Sequence, residues 1–207
     1  IRTDEVEELF DVASALLRQP LPKGNRVGIL TFGGGFGCVA SDACERLGLE
    51  VAQLSPRTIE RLSEILPERW PHANPVDMVG FGFVTYPCLW PLIEDDNIDA
   101  VLMIGGIGRM GMMARRMMSD RFPPEGWDEQ AFKAREEEER KNLGKLFEYV
   151  KKYRKPVVIF DHNATAMKDS PMFNELKENG VMMYPTPERA AKVLAHLVAY
   201  SRYLNSE

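Results

Sequence analysis

Arg26–Leu47, RVGILTFGGGFGCVASDACERL, passes from a short apolar run into a glycine tract and out into a helical pattern. Val27, Ile29 and Leu30 read as a buried strand, and Gly33, Gly34, Gly35 and Gly37 interrupt it. Ala40, Ala43, Cys44 and Leu47 then recur at helical spacing. The glycines therefore lie where a strand hands over to a helix N-terminus, the place where parallel α/β sheets bind ligands. Bare backbone there lets several N–H groups and the positive end of the helix dipole face one anion, worth roughly 0.3 to 1 kcal/mol and more when partly buried. The expectation is an oxyanion or phosphate site on Gly33, Gly34, Gly35, Phe36, Gly37 and Cys38; the plainer alternative is a tight turn needing positive φ.

Two known phosphate signatures do not fit the tract. A dinucleotide fingerprint starting at Gly33 needs glycine or alanine where Cys38 stands, and the second strand ends in Gln53-Leu54-Ser55 with no acid for a ribose. A P-loop ends in G-K-[ST], whereas this one ends in Gly37-Cys38-Val39.

Outward from the tract, strands alternate with helices. Upstream, Asp4 and Glu7 form a capping box for a leading helix whose Val6, Leu9, Phe10, Ala13, Leu16 and Leu17 share one face, and QPLPKGN at 19–25 links it to the first strand. Downstream, Leu49–Leu54 is strand two, and Ser55 and Pro56 open a helix with Ile59, Leu62, Ile65 and Leu66 on its stripe. A proline-rich loop from Trp70 to Gly80 follows, then a helix over Phe83–Glu94. Ala100–Ile104 leads into a second glycine loop, Gly105-Gly106-Ile107-Gly108-Arg109. Pro156–Phe160 is strand four, Ser170-Pro171 starts a helix ending at Asn179-Gly180, and Val181–Tyr184 is strand five. Thr186 and Pro187 open a last helix with Ala190, Ala191, Leu194, Leu197 and Val198 inward. The pattern predicts an α/β fold: a three-layer, doubly wound parallel sheet, flavodoxin-like, of order 2-1-3-4-5. Residues 1–25 are leading helix and linker, and 26–207 one domain. It carries a helical insertion at about 109–154, first methionine-rich (Met110, Met112, Met113, Met117, Met118) and then charged. That insertion reads as core filler plus a solvated helix, or as an adaptable docking surface.

The chain has 207 residues, 44% of them hydrophobic, and a net charge of −5, which is enough for a real core and argues against nucleic acid. No stretch approaches the roughly 18 apolar residues of a membrane span. Cys38, Cys44 and Cys88 make no disulfide framework, so a cytoplasmic setting is expected. A chain opening at Ile1 inside a structured pattern reads as a piece of something longer.

Thr3-Asp4-Glu5, the run QPLPKGNRVGILTFGGGFG at 19–37, NPVDMVG at 74–80 and YPTPERAAKVLAHLVAY at 184–200 resemble NDP-forming (ADP-forming) acyl-CoA synthetases, the acetate–CoA ligase family. More narrowly they resemble the CoA-ligase domain equivalent to the C-terminal domain of the succinyl-CoA synthetase β subunit. The resemblance implies one part of an enzyme that makes acyl-CoA, ADP and phosphate from an acid, CoA and ATP, through an acyl phosphate and a phosphorylated histidine. In that family the N-termini of two helices cradle the histidine loop, and the helix near Gly37 and Cys38 resembles one of them. The glycine-rich histidine motif is not among these residues. The implied partners are a histidine-loop domain, a CoA-binding domain and an ATP-grasp domain, in cis or in trans, with a small carboxylic acid as substrate, an oligomeric assembly, and CoA, ATP or ADP, Mg2+ and phosphate held outside this chain. Gly105–Arg109 is closer to the succinyl-type GGI-x-R pattern than to the proline-containing loop of many acetate-type ligases.

Of the remaining polar residues, Asn74 and Asp77 either close a turn or position the histidine loop or acyl group. Arg109 could pair bidentately with a carboxylate or phosphate. His162, after strand four and beside Asp161 and Asn163, is a candidate for ligand contact or proton transfer. His72 and His196 read as structural, and Cys38 as a small side chain rather than a nucleophile, because no histidine base accompanies it. A flavin-binding module or a non-catalytic sensor is the alternative class that this fold leaves open.

Overall fold

The computed structural model describes residues 1–80, 84–107, 129–162, 164 and 171–206. Strands β1 (Arg26–Thr31), β2 (Glu50–Val51), β3 (Val76–Asp77), β4 (Ala100–Ile104), β5 (Val157–Phe160) and β6 (Met183–Tyr184) form one parallel sheet in the order β2-β1-β4-β5-β6, with β3 paired to β1 beside that path. With β3 set aside, this is the 2-1-3-4-5 order expected from the alternation. Among the described residues seven helices cover the sheet: α1 (Val6–Arg18), α2 (Gly34–Arg46), α3 (Pro56–Ser63), α4 (Thr85–Glu94), α5 (Glu129–Tyr153), α6 (Pro171–Glu178) and α7 (Pro187–Asn205).

Side chains alternate across the pleat and build two cores. Val27 and Ile29, Leu102 and Ile104, and Val158 and Phe160 pack with α2 and α7 residues Ala40, Ala43, Leu194 and Leu197 on one face. Leu30, Val101, Met103, Val157 and Ile159 pack on the other with Leu62 of α3, Leu89 and Leu92 of α4, Leu143 and Leu146 of α5, and Leu176 of α6. Three layers result. Ser55 and Thr186 cap α3 and α7 as their sequence context requires, accepting from Thr58 N at 3.3 Å and Arg189 N at 3.1 Å. Burial pushes the Cys44 and Cys88 thiols up to about 12, so both are packing groups.

Several local expectations change. Strand two is only Glu50–Val51, because β2 pairs the first half of β1 and the unexpected β3 pairs the second half at Leu30 and Thr31. The two share one edge of β1. The Asp4–Glu7 capping box does not form: α1 has no side-chain cap, and Asp4 N instead donates to Glu8 Oε2 at 3.5 Å. The face of α1 turned to the domain is not the apolar stripe either, for Glu8, Val12 and Ala15 are buried while Val6, Leu9, Phe10, Ala13 and Leu17 are exposed. Helix α7 offers Arg189, Lys192 and His196 there, and these select the acidic side of α1. The hydrogen bond with His196, helped by Lys192 and opposed by burial, holds the Glu8 carboxyl below its usual value. In the insertion, α5 is solvated at Lys133, Ala134, Glu137 and Glu138 but buries Leu143, Leu146, Phe147 and Val150; its methionine-rich part lies outside the described residues.

Candidate functional site

Every strand runs the same way, so the segments after β1, β3, β4 and β5 meet at one edge of the sheet. The loops after β1 and β4 flank the point where strand order reverses, the crevice in which open parallel sheets bind ligands.

The glycine tract after β1 is itself helical. Gly33 is the N-cap of α2, in extended conformation (φ −156°, ψ 136°), and Gly34, Gly35, Phe36 and Gly37 form the first turn. The sequence pattern placed that helix start near Gly37; it comes three residues earlier because Thr31 pins Gly33. Thr31 Oγ1 donates to Gly33 O at 2.8 Å and accepts from Gly33 N at 3.2 Å. No side chain caps α2, so its first-turn amides point outward beside exposed Gly34, Gly35 and Phe36. A Cβ added at Gly33 or Gly35 would meet nothing within 4 Å, so the approach is open. Gly37 differs: a Cβ there would lie 3.0 Å from Thr31 Cγ2 and 3.4 Å from Pro75 Cβ, and glycine is what lets α2 sit close to β1 and β3. At Gly34 a Cβ would lie 3.1 Å from Asp77 Oδ2, so the Asp77 carboxylate reaches the same helix turn from the end of β3. Asp77 Oδ1 accepts from Val79 N at 2.8 Å.

Gly105 and Gly106 follow β4 with φ of +67° and +92°, a region that side chains disfavour. A Cβ at Gly106 would fall 2.7 Å from Thr85 Oγ1 on α4. Gly105 N donates to Phe160 O at 2.8 Å, and Ile107 is fully buried, anchoring this loop to the core. After β5, Asp161 is 4% exposed while the adjacent His162 is open to solvent, with Nδ1 3.7 Å from Asp161 Oδ1. Phe36 bridges the two sides: it packs edge-on against Phe160 at 5.1 Å and stacks on His162 at 6.3 Å between ring centroids.

The structure therefore gathers Gly33–Cys38, Asp77, Gly105–Ile107 and His162 at one edge. Gly108, Arg109 and Asn163 lie outside the described residues. Asn74 is committed to the sheet: its Oδ1 accepts from Ile29 N at 2.8 Å and its Nδ2 donates to Val27 O and Ala52 O at 2.8 and 2.9 Å. It brackets the middle of β1 rather than facing the glycine tract. His72 packs on Trp70 at 4.6 Å and His196 holds Glu8, as structural histidines do. Thr31 and Thr85 were not singled out in the sequence, and Asp161 only as a neighbour of His162; a hydroxyl two residues before Gly33 was the available signal for the first.

No family model matches the chain. It is 30% identical, over 98% of its length, to an "Acetate--CoA ligase [ADP-forming] II" of Archaeoglobus fulgidus, of which it spans 27%. It is also 40% identical, over 48% of its length, to the alpha subunit of "Acetate--CoA ligase [ADP-forming] II" from Pyrococcus furiosus, of which it spans 22%. Its homologues are ADP-forming acetate–CoA ligases. The chain spans between 25% and 38% of the length of the curated relatives that it matches end to end. The fold agrees: the structure of PH0766 from Pyrococcus horikoshii OT3 superposes with a TM-score of 0.69 at 26% identity, over 97% of this chain and 41% of that one. A Candidatus Korarchaeum cryptofilum acetyl-coenzyme A synthetase, described in complex with phosphate and ADP, shares the fold at a TM-score of 0.66 and 23% identity, over 97% of this chain and 38% of that one. Among the described residues no helix is long and apolar enough to cross a membrane, and no trio of histidine, cysteine and acidic side chains is placed to hold a metal.

Proposed function

We propose that this chain is the CoA-ligase domain of an NDP-forming acyl-CoA synthetase, and that the N-terminus of α2 receives a phosphohistidine loop supplied by another domain. The observation that carries the reading is the uncapped first turn of α2, open to solvent at Gly33 and Gly35 at the sheet's reversal point, in a chain homologous along its whole length to ADP-forming ligases. The amides of Gly34, Gly35 and Phe36 are donors for phosphoryl oxygens, oriented before the reaction and so requiring no rearrangement as charge moves. Asp77, reaching that turn from the end of β3, is an acceptor. A free phosphate is repelled by that carboxylate, whereas a phosphorylated imidazole presents oxygens to the amides and a ring N–H to Asp77. Phe36, stacked on His162, forms an apolar shoulder beside the turn.

In this reading the nucleophile is not in this chain. The domain stabilises the phosphoryl group while the loop carries it between acyl phosphate and nucleotide, and Gly105–Arg109 with Asn163 borders the acyl group. CoA, ATP or ADP, phosphate and Mg2+ belong to the assembled enzyme, together with the CoA-binding, histidine-loop and ATP-grasp domains. The test is Gly35→Val in that assembly. Because a side chain at 35 meets nothing in the fold, the expected result is a sharp loss of phosphoryl transfer with melting nearly unchanged; normal transfer would remove the assignment.

A further inference from the structure

Helix α1 is fastened to the domain by its polar side. Glu8 Oε1 meets His196 Nε2 at 2.6 Å and Glu8 Oε2 meets Lys192 Nζ at 3.6 Å, while Asp11 accepts from Arg189 Nε and Nη2 at 2.7 and 3.0 Å. Arg18 Nη1 donates to Lys177 O at 2.7 Å and Glu178 O at 3.2 Å. The opposite side is left apolar and open: Val6 is 67% exposed, Leu9 53%, Phe10 67% and Leu17 83%, with exposed Ala13 between them. The spacing i, i+3, i+4, i+7, i+11 is a continuous seam of the kind that ordinarily faces another helix. A contiguous apolar stripe on a globular domain marks an interaction surface.

What covers it is indicated by its own pattern. An interface between two copies related by a twofold axis must be self-complementary, residue i meeting j and j meeting i. Turned antiparallel on itself about the point between Asp11 and Val12, the stripe sets Val6 against Leu17 and the Phe10 ring against the small Ala13. The same register sets exposed Glu5 against exposed Arg18 at both ends. Large faces small and acid faces base, without any further adjustment of the sequence.

We propose that α1 packs antiparallel on α1 of a second copy of this chain. Five side chains from each copy cover on the order of 1,000 Å² in total, the lower bound for a specific interface, so the dimer is weak and exchanges rapidly. The Glu5–Arg18 pairs on the rim choose the register more than they add affinity.

Sedimentation velocity over a concentration series tests this on the chain itself. The expected result is a monomer–dimer equilibrium, abolished by Phe10→Glu with far-ultraviolet circular dichroism and melting retained, since Phe10 makes little contact with its own domain. Glu5→Arg weakens the dimer several-fold, because it sets an arginine of one copy against Arg18 of the other at both ends; Arg18 is kept, since it also fastens α1 to the end of α6. A chain that stays monomeric at every concentration while α1 remains helical overturns the proposal, as does a dimer indifferent to Phe10→Glu. A dimer indifferent to Glu5→Arg overturns the antiparallel register. The readout is molecular size, so none of these outcomes touches the reading of the α2 site.

Discussion

Gly35 and Gly37, two residues apart on one helical turn, have opposite reasons for being glycine. Gly35 opens outward and its replacement acts on whatever approaches. Gly37 faces inward against Thr31 and Pro75, so Gly37→Val overpacks the α2–β1 junction and costs about 1–3 kcal/mol of stability, seen as a lower urea midpoint alongside lost activity. The contrast between the two variants separates a binding role from a packing one. Asp77→Asn carries a further expectation. It keeps the size and the acceptor for Val79 N but removes the charge, so melting is held while phosphoryl transfer in the assembled enzyme falls by at least tenfold, the scale of a hydrogen bond to a charged group, about 1.5–3 kcal/mol. A rate equal to that of the parent would deny Asp77 any part in holding the loop.

Between elements, polar side chains do the fastening that the short strands leave undone. Gln19, just past α1, donates to Val157 O at 3.1 Å and Gly180 O at 2.5 Å and accepts from Val157 N at 3.2 Å, all of it buried. Gln19→Leu strands these backbone groups at the start of β5 and the end of α6, with an expected loss of about 2–3 kcal/mol by urea denaturation. Acid acts on a second fastening. Burial alone would raise the Asp99 carboxyl, but the Arg26 side chain at 2.8 and 2.9 Å and Arg26 N at 3.1 Å bring it below its usual value; Asp95 is likewise lowered, by Asn97 N and Ser55 N among others, against burial. Groups whose folded values are depressed contribute stability above the unfolded value of about 3.9 and lose it as pH falls through the folded one. The melting temperature is therefore expected to be level above about pH 5 and to decline below about pH 4, less steeply in Asp99→Asn, which has no such carboxylate to protonate.

For the whole molecule the proposed function implies chemistry shared with other domains. The gathered edge has donors, an acceptor and an aromatic shoulder but no described nucleophile suited to shuttle phosphate, and the chain spans 27% of the Archaeoglobus ligase to which it is similar. Incubated alone with labelled ATP or acyl phosphate, it is expected to take up no label; a stable phosphoryl group on His162 would place the carrier inside this domain and contradict the proposed division of labour. Complementation with polypeptides bearing the histidine loop, the CoA-binding domain and the ATP-grasp domain is expected to restore thioester formation dependent on acid, CoA and ATP.

The strand order, the caps at Ser55 and Thr186 and the glycine tract at a helix start were legible in the linear chain, because each follows from local spacing: apolar runs of strand length, hydroxyls before proline, and bare backbone after a strand. Residues far apart in sequence decided the rest. Asp77 joins the α2 turn only because β3, two residues long and too short to show a period, pairs with the end of β1. Asn74 belongs to the sheet rather than the site because Val27, Ile29 and Ala52 together take up its amide. Helix α1 has an apolar stripe that any reading of its spacing finds, yet periodicity says only that one face differs from the other. Which face turns inward depends on what the neighbour presents, and α7 presents Arg189, Lys192 and His196, so the acids went in and the apolar stripe stayed out.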